Sequence, residues 1–160
     1  MKLAAAALAL MVSCSMAQAQ SCGDLCDADW WKTATQAEIT AAIAGADVNA
    51  RAEGGVTALM WVAEQGTPEN IATLIQAGAD VDARAERSWT ALMSAATSGT
   101  PENVTALLEA GAHISARSEN GATALMWAAW LGTPENVTAL LEAGADGSAR
   151  DDAGKTAFDY

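Results

Sequence analysis

The sequence Thr57-Ala-Leu-Met-Trp-Val-Ala, followed after a short break by Gly66-Thr-Pro-Glu-Asn, decides how this 160-residue chain folds. The pattern returns twice, as Thr90-Ala-Leu-Met-Ser-Ala-Ala with Gly99-Thr-Pro-Glu-Asn and as Thr123-Ala-Leu-Met-Trp-Ala-Ala with Gly132-Thr-Pro-Glu-Asn. The copies are spaced 33 residues apart, and Gly99–Ala112 is identical, letter for letter, to Gly132–Ala145. A fixed period of this size indicates an array of stacked supersecondary units rather than a single closed core.

Each copy carries the signals of two helices. The first helix is expected to begin near the threonine of each alanine-rich stretch, at Thr57, Thr90 and Thr123. A second threonine followed by proline suits an N-cap and a first helical position, and it opens the next helix at Thr67, Thr100 and Thr133. Apolar residues then recur at helical spacing up to a glycine that must be left-handed, at Gly78, Gly111 and Gly144.

This pattern resembles the ankyrin repeat, whose motif T-P-L-H-x-A recurs about every 33 residues. Thr57, Leu59 and Ala63 stand where that motif has threonine, leucine and a small helical residue. Alanine replaces the motif proline and methionine the motif histidine, at Ala58, Ala91 and Ala124 and at Met60, Met93 and Met126. The family's histidine ties neighbouring repeats together by hydrogen bonds, and packing by the flexible methionine is the expected substitute. The resemblance implies an all-α solenoid of stacked helix-turn-helix units with projecting β-turn or hairpin tips.

The repeat register divides the chain into segments. Ankyrin repeats are expected at residues 47–79, 80–112 and 113–145, and a partial repeat at 146–160 stops within its first helix. Two interpretations of that partial repeat are open. Either Phe158 and Tyr160 pack back as a minimal cap, or the chain is truncated, which is the interpretation we favour.

Residues 20–46 are interpreted as an N-terminal capping segment. Thr35-Gln-Ala-Glu38 has the form of a capping box that opens a helix, and Gly45 ends that helix. Trp30 and Trp31 precede it. Because the end of a solenoid must be covered, we expect these rings to lie over the stack rather than to form a binding pocket.

Residues 1–19 have the layout of a secretory signal peptide, with a positive start at Lys2 and a continuous apolar run. Ala17-Gln-Ala19 supplies a small-x-small site, so cleavage is predicted after Ala19. The apolar run is too short to span a bilayer, and no other stretch is long enough. Val12-Ser13-Cys14 leaves a second possibility, a lipid anchor on Cys14. An exported, bacterial-type protein in the periplasm or medium is therefore predicted.

The chain is strongly acidic, with 8 Lys and Arg against 20 Asp and Glu. Removal of Lys2 with the leader takes the formal net charge from −12 to 7 − 20 = −13. A field of this sign repels phosphate backbones and anionic lipids, so neither nucleic acid nor bare membrane is an expected partner.

Cleavage after Ala19 leaves Cys22 and Cys26 as an even pair. A structural disulfide is the expected state in an oxidising compartment. A redox or metal site is the alternative, but the spacing is Cys-x-x-x-Cys and the one histidine, His113, is far away in the sequence.

The sequence contains no constellation expected of a catalytic, metal or cofactor site. His113 replaces the aspartate of neighbouring repeats at a turn, and we expect it to be solvent-exposed. Asn103-Val-Thr and Asn136-Val-Thr match glycosylation acceptors, but they fall at repeated helix starts and are interpreted as part of the helix caps. The chain is therefore predicted not to be an enzyme.

With no catalytic or metal site expected, the surface of the repeats is the remaining candidate for function. In ankyrin-like proteins the hairpin tips and the exposed side of each first helix form a concave recognition face, so the resemblance implies protein binding there. The residues predicted at this face are Arg51, Glu53, Arg84, Arg87, Trp89, Arg117, Asn120, Trp130 and Leu131. Exposed tryptophan and arginine most often carry interface energy, so Trp89, Trp130 and their neighbours are placed at the centre.

Two further patterns accompany this prediction. Trp61 and Trp127 recur at one helix position, which favours packing between repeats. Arginines recur at the repeat spacing beside carboxylates, at Arg51, Arg84, Arg117 and Arg150. They are interpreted either as mutually neutralising hairpin charges or as ligand contacts.

The function predicted from the sequence is a non-catalytic, exported module that binds a protein partner. The alternative is an envelope-tethered lipoprotein or an accessory subunit that stabilises an enzyme.

Overall fold

A computed structural model describes residues 23–27 and 29–160. The leader with Cys14, and also Cys22, lie outside these residues, so the signal peptide, the lipid anchor and the disulfide to Cys26 stay predictions. No helix within the described part is long and apolar enough to cross a membrane.

Seven α-helices make up the described chain: α1 (Gln36–Gly45), α2 (Ala58–Gln65), α3 (Pro68–Gln76), α4 (Ala91–Ser98), α5 (Pro101–Glu109), α6 (Ala124–Leu131) and α7 (Pro134–Glu142). Short 3-10 turns lie at Gly23–Cys26, Trp30–Lys32, Glu53–Gly55, Glu86–Ser88 and Ala157–Asp159. The β-structure of the described residues is limited to two isolated antiparallel bridges, Arg51 with Thr57 and Arg117 with Thr123. The all-α solenoid predicted from the sequence is confirmed.

The helix ends form where the sequence predicts them. Thr35 and Glu38 complete the capping box of α1, with the Thr35 N–H donating to Glu38 Oε2 at 2.8 Å. The hydroxyls of the threonines before proline accept the N–H of the third helical residue, at Thr67, Thr100 and Thr133. The predicted left-handed glycines have φ of 93°, 94° and 91°, at Gly78, Gly111 and Gly144.

The helices form two layers. The first helices α2, α4 and α6 pack on one another in one layer, and the second helices α3, α5 and α7 form the other. The core between them is mainly leucine, alanine and methionine, and it includes the buried Met60, Met93 and Met126. Methionine therefore fills the position of the family's histidine by packing, as the sequence predicts.

Close backbone approach joins the repeats. A β-carbon at Gly99 would overlap the carbonyl oxygen of Ala63, and one at Gly132 would overlap that of Ala96. A fully buried asparagine of the second helix, Asn103 or Asn136, lies at each of these two contacts. Asn103 Nδ2 donates to Gly66 O at 3.0 Å, and Asn136 Nδ2 donates to Gly99 O at 3.1 Å. Both asparagines thus tie repeats together, which agrees with their interpretation as structural rather than glycan-bearing residues.

The two ends of the stack are covered differently. Near the N-terminus Leu25 and Trp31 are buried in the core, and Trp31 Nε1 donates to Leu25 O at 3.1 Å, as expected of a cap. At the other end Tyr160 packs back on Trp130 with ring centroids 5.9 Å apart. Phe158 does not pack back in the way that the minimal-cap interpretation requires, since its side chain is 78% exposed and lies against the Gly147 backbone.

Candidate functional site

Four hairpin tips project from the first-helix layer, at residues 53–56, 86–89, 119–122 and 152–155. Each is closed by the same backbone bond, for example Ala85 N–H to Trp89 O at 2.9 Å. Three of the tips place glycine where φ is positive, as at Gly55 and Gly121. The second tip instead holds Arg87 at φ 56° and Ser88 at φ 58°. Because this region is costly for residues with a β-carbon, the second tip is locally strained.

Neighbouring tips are linked through their backbones. Glu119 N–H donates to Arg87 O at 2.8 Å, and Asp152 N–H donates to Asn120 O at 3.1 Å. Within the described chain no equivalent bond joins the first tip, at Gly54, to the second. The first and second tips thus lack the backbone bond that joins the later tips.

The arginine ladder is bonded to carbonyls. Arg51 Nη1 donates to Arg84 O at 2.6 Å, Arg84 Nη1 donates to Arg117 O at 3.2 Å, and Arg117 donates to Arg150 O. In the described part of the chain, no ladder arginine lies within ion-pair distance of a carboxylate. The ladder therefore links each repeat to the next, and neither of the two interpretations made from the sequence named this role.

An aromatic row crosses the face formed by the tips and first helices, which we call the inner face. Trp127 lies edge-on to Trp89 with ring centroids 4.8 Å apart, and it is tilted against Trp130 at 5.4 Å. Tyr160 continues the row beyond Trp130. The row joins the second repeat to the C-terminal segment, and Trp130 at its centre is 56% exposed.

A cleft of about 620 Å³ opens beside the first half of this row. Its walls include Val56, Trp89 and Trp127, and charged side chains stand at Glu86, Arg87 and Glu119. Trp89 Nε1 donates to Ser94 Oγ at 2.9 Å, and Trp127 Nε1 donates to Ser118 Oγ at 3.4 Å. Since both indole N–H groups are satisfied by the protein, the rings offer only carbon and π surface to the cleft.

Comparison with protein families identifies this architecture. The family model for three copies of the ankyrin repeat matches residues 32–118 and 59–151, which together span well over half of the chain. The chain belongs to the ankyrin-repeat family. Ankyrin repeats are generally protein-protein interaction modules without catalytic activity. No curated protein matches the sequence.

The ankyrin stack separates the predicted binding residues into distinct groups. Arg87, Trp89 and Asn120 line the cleft. Arg84 and Arg117 line a second depression with Asp82 and His113, away from the tryptophans. Trp130 and Leu131 lie at the C-terminal end of α6, where Leu131 is 57% exposed. Arg51 and Glu53 are exposed at the first tip and do not line the cleft.

Two residues of the aromatic row were not among the binding residues predicted from the sequence. Trp127 does pack between repeats, but it also forms a wall of the cleft. Its spacing of three residues from Trp130 on one helix placed both rings on the same face, and this signal was available. Tyr160 was assigned only to a cap, and no local pattern indicated that it would extend the row.

His113 is exposed, as expected, but it is not without a partner. Its Nδ1 lies 2.5 Å from Asp82 Oδ2, and its backbone N–H donates to Asp82 Oδ1 at 2.9 Å. This contact spans two ankyrin repeats at the loop side of the stack. It is too exposed to count as strong evidence for stability.

A carboxylate anchors the C-terminal end of the aromatic row. Asp151 is buried and accepts the Tyr160 hydroxyl at 2.5 Å and the Lys155 N–H at 2.8 Å. The bond from Tyr160, reinforced by backbone N–H donors, holds the pKa of Asp151 below its usual range. The same bond raises the pKa of Tyr160, because ionising the phenol would remove the donated proton. The Tyr160 ring also carries Lys155 Nζ, 4.8 Å from its centroid.

Proposed function

We propose that this ankyrin domain is an exported binding module that holds a protein partner on its inner face. The observation that carries the proposal is the aromatic row with the neighbouring cleft. Tryptophan, tyrosine and arginine are enriched among the few residues that dominate the binding energy of protein interfaces. In this chain tryptophan and arginine side chains occur on the inner face at positions where the sequences of the repeats differ.

Exposure supports the same face. Among the described residues, large exposed apolar side chains occur at Trp130, Leu131, Leu141, Phe158 and Tyr160. Three of these belong to the row or adjoin it on α6. A contiguous apolar and aromatic patch on a soluble stack is typical of an interaction site.

The test uses substitutions that another repeat already carries at the same position. Trp89→Val copies Val56, and Trp130→Thr copies Thr97, so both variants should keep the fold. Glu135→Gln on the second-helix layer is the matched control. The wild type, both variants and the control are used as bait in the envelope and secreted fractions of the native host.

A partner retained by the wild type and by Glu135→Gln, and lost by both tryptophan variants, supports the proposal. Equal retention by all four proteins excludes the inner face. Thermal melts that show unchanged unfolding temperatures confirm that a loss reflects the surface rather than the fold.

Export is supported by the leader-like residues 1–19 and is tested separately. Mass spectrometry of the mature protein should show an N-terminus at Gln20. An acylated N-terminal Cys14 would instead support the tethered lipoprotein, which rests on Val12-Ser13-Cys14. An unprocessed Met1 would contradict both forms of export.

A further inference from the structure

The cleft between the hairpin tips has a chemistry that specifies its ligand. We propose that it takes a cationic side chain, lysine or arginine, from an extended segment of the protein partner. This inference rests on the proposed function and names the chemical class of the group that enters the site.

The walls of the cleft favour a cation with an apolar stem. Trp89 and Trp127 line the cleft, and their polar N–H groups are already bonded to Ser94 and Ser118. Aromatic rings of this kind attract a cation. Val56 extends the apolar wall. A lysine or arginine stem can lie along such a surface while its charged head reaches the rim.

The charges at the rim have the complementary sign. Two carboxylates, Glu86 and Glu119, and one guanidinium, Arg87, line the cleft, and the whole chain has a formal net charge of −12. In the part of the chain that the structure describes, the one cation seated on a ring is Lys155 on Tyr160. The tryptophans of the cleft are thus left to an incoming cation.

The charge of Arg87 allows an experiment to distinguish a cationic ligand from an acidic one. It is exposed at the strained second tip. For a cationic ligand its charge is repulsive, so its removal should strengthen binding. For an acidic ligand Arg87 would be the main attraction, and its removal should weaken binding.

The probes are three blocked heptapeptides of glycine and serine that differ at one central residue: lysine, Nε-acetyl-lysine or glutamate. Each is titrated into the 15N-labelled protein, and the indole N–H resonances are followed. We expect the lysine peptide to shift the signals of Trp89 and Trp127, not those of the capping Trp30 and Trp31. Loss of charge in the acetylated peptide should weaken binding about tenfold.

Each variant removes the charge of one side chain and keeps a polar side chain at that position. Glu86→Gln and Glu119→Gln should each weaken the lysine peptide by about threefold, Arg87→Gln should strengthen it by about as much, and Glu135→Gln should have no effect. Equal binding of lysine and acetyl-lysine peptides overturns the inference, as does preference for the glutamate peptide with weakening by Arg87→Gln.

The two proposals fail separately. If the lysine peptide does not bind while Trp89→Val and Trp130→Thr still lose the partner, the inner face is correct and the cationic ligand is wrong. If the lysine peptide binds at the cleft but those variants keep the partner, the proposed function is wrong.

Discussion

The junctions between neighbouring repeats and the cleft between hairpin tips are built from the same repeat, yet they differ in how constant their sequence is. Around the junctions, Gly99–Ala112 and Gly132–Ala145 are identical, and each asparagine makes equivalent bonds to the repeat before it. Around the cleft, corresponding positions hold Val56, Trp89 and Ala122 in successive repeats. Stacking geometry dictates the first set, because backbones there touch. In the second set Val56 and Trp89 line the cleft, whereas Ala122 is buried. The two cleft positions are therefore free to serve recognition.

The largest effect is expected at a junction. Asn136→Asp replaces an amide that donates to three carbonyl oxygens, those of Ala95, Ala96 and Gly99, with a buried carboxylate. The free energy of unfolding should fall by about 3 kcal/mol in urea titrations, since the buried Oδ1 of Asn136 has no donor among the described residues. Glu135→Gln, one residue earlier and exposed, should change it by less than about 0.5 kcal/mol. A loss below about 1 kcal/mol for Asn136→Asp would show that the junction is not fixed by stacking in the way that we infer.

A smaller effect of opposite sign is expected at the second tip. Ser88→Gly places the residue used by Gly55 and Gly121 at φ 58°, so relief of strain should raise the free energy of unfolding by about 1 kcal/mol. The reciprocal Gly55→Ser should lower it by a similar amount. Thermal unfolding of both variants checks the pair, and an unchanged stability of Ser88→Gly would show that the second tip carries no strain.

A third change uses the difference between Trp61 and Trp127. Among the described residues the buried Nε1 of Trp61 has no hydrogen-bond partner, whereas Trp127 Nε1 donates to Ser118 Oγ. The counterpart of Ser118 in the first repeat is Ala52. Ala52→Ser should therefore supply a hydroxyl and stabilise by about 0.5 to 1 kcal/mol. Ser118→Ala is the matched reversal and should cost about 1 kcal/mol. Equal stability of wild type and Ala52→Ser in urea would mean that water already satisfies the indole.

The smallest effect concerns pH at the end of the aromatic row. The pKa of Tyr160 is raised, so its bond to Asp151 is fully present below the usual tyrosine pKa of about 10 and is lost as pH rises through the folded value. The pKa of Asp151 is lowered, so its contribution is present above about pH 4 and is lost as pH falls through the folded value.

The chain has one tyrosine, so phenolate absorbance reports this site alone. The titration midpoint should lie above that of a free tyrosine, and Asp151→Asn should move it back toward the free value. A wild-type midpoint equal to that of free tyrosine would contradict the contact.

The sequence predicts the scaffold well because its signals are local. Thr67 and Gly78 bound a helix through bonds to residues a few positions away, and the 33-residue register carries the same assignment to the other repeats. Burial of Met93 follows from the same register. These features can be predicted without the distances between repeats.

The cleft depends on distances between repeats, which the sequence does not contain. Trp89 and Arg84 are five positions apart, yet one lines the cleft and the other lines the depression beside His113. The left-handed backbone of Ser88 is also hidden, because serine carries no preference for it. Arg117 bonds a carbonyl 33 residues away, and only the stacked structure reveals that pairing.

The letter-for-letter identity of the two helical segments has a consequence for the length of the protein. Loss of residues 100–132 would join Gly99 to Thr133 and leave a sequence that still reads as an unbroken array, shorter by 33 residues. Trp127 and Trp130 would go with the excised piece. A recombination between the duplicated stretches would therefore remove two rings of the aromatic row in a single step and keep the repeat register intact.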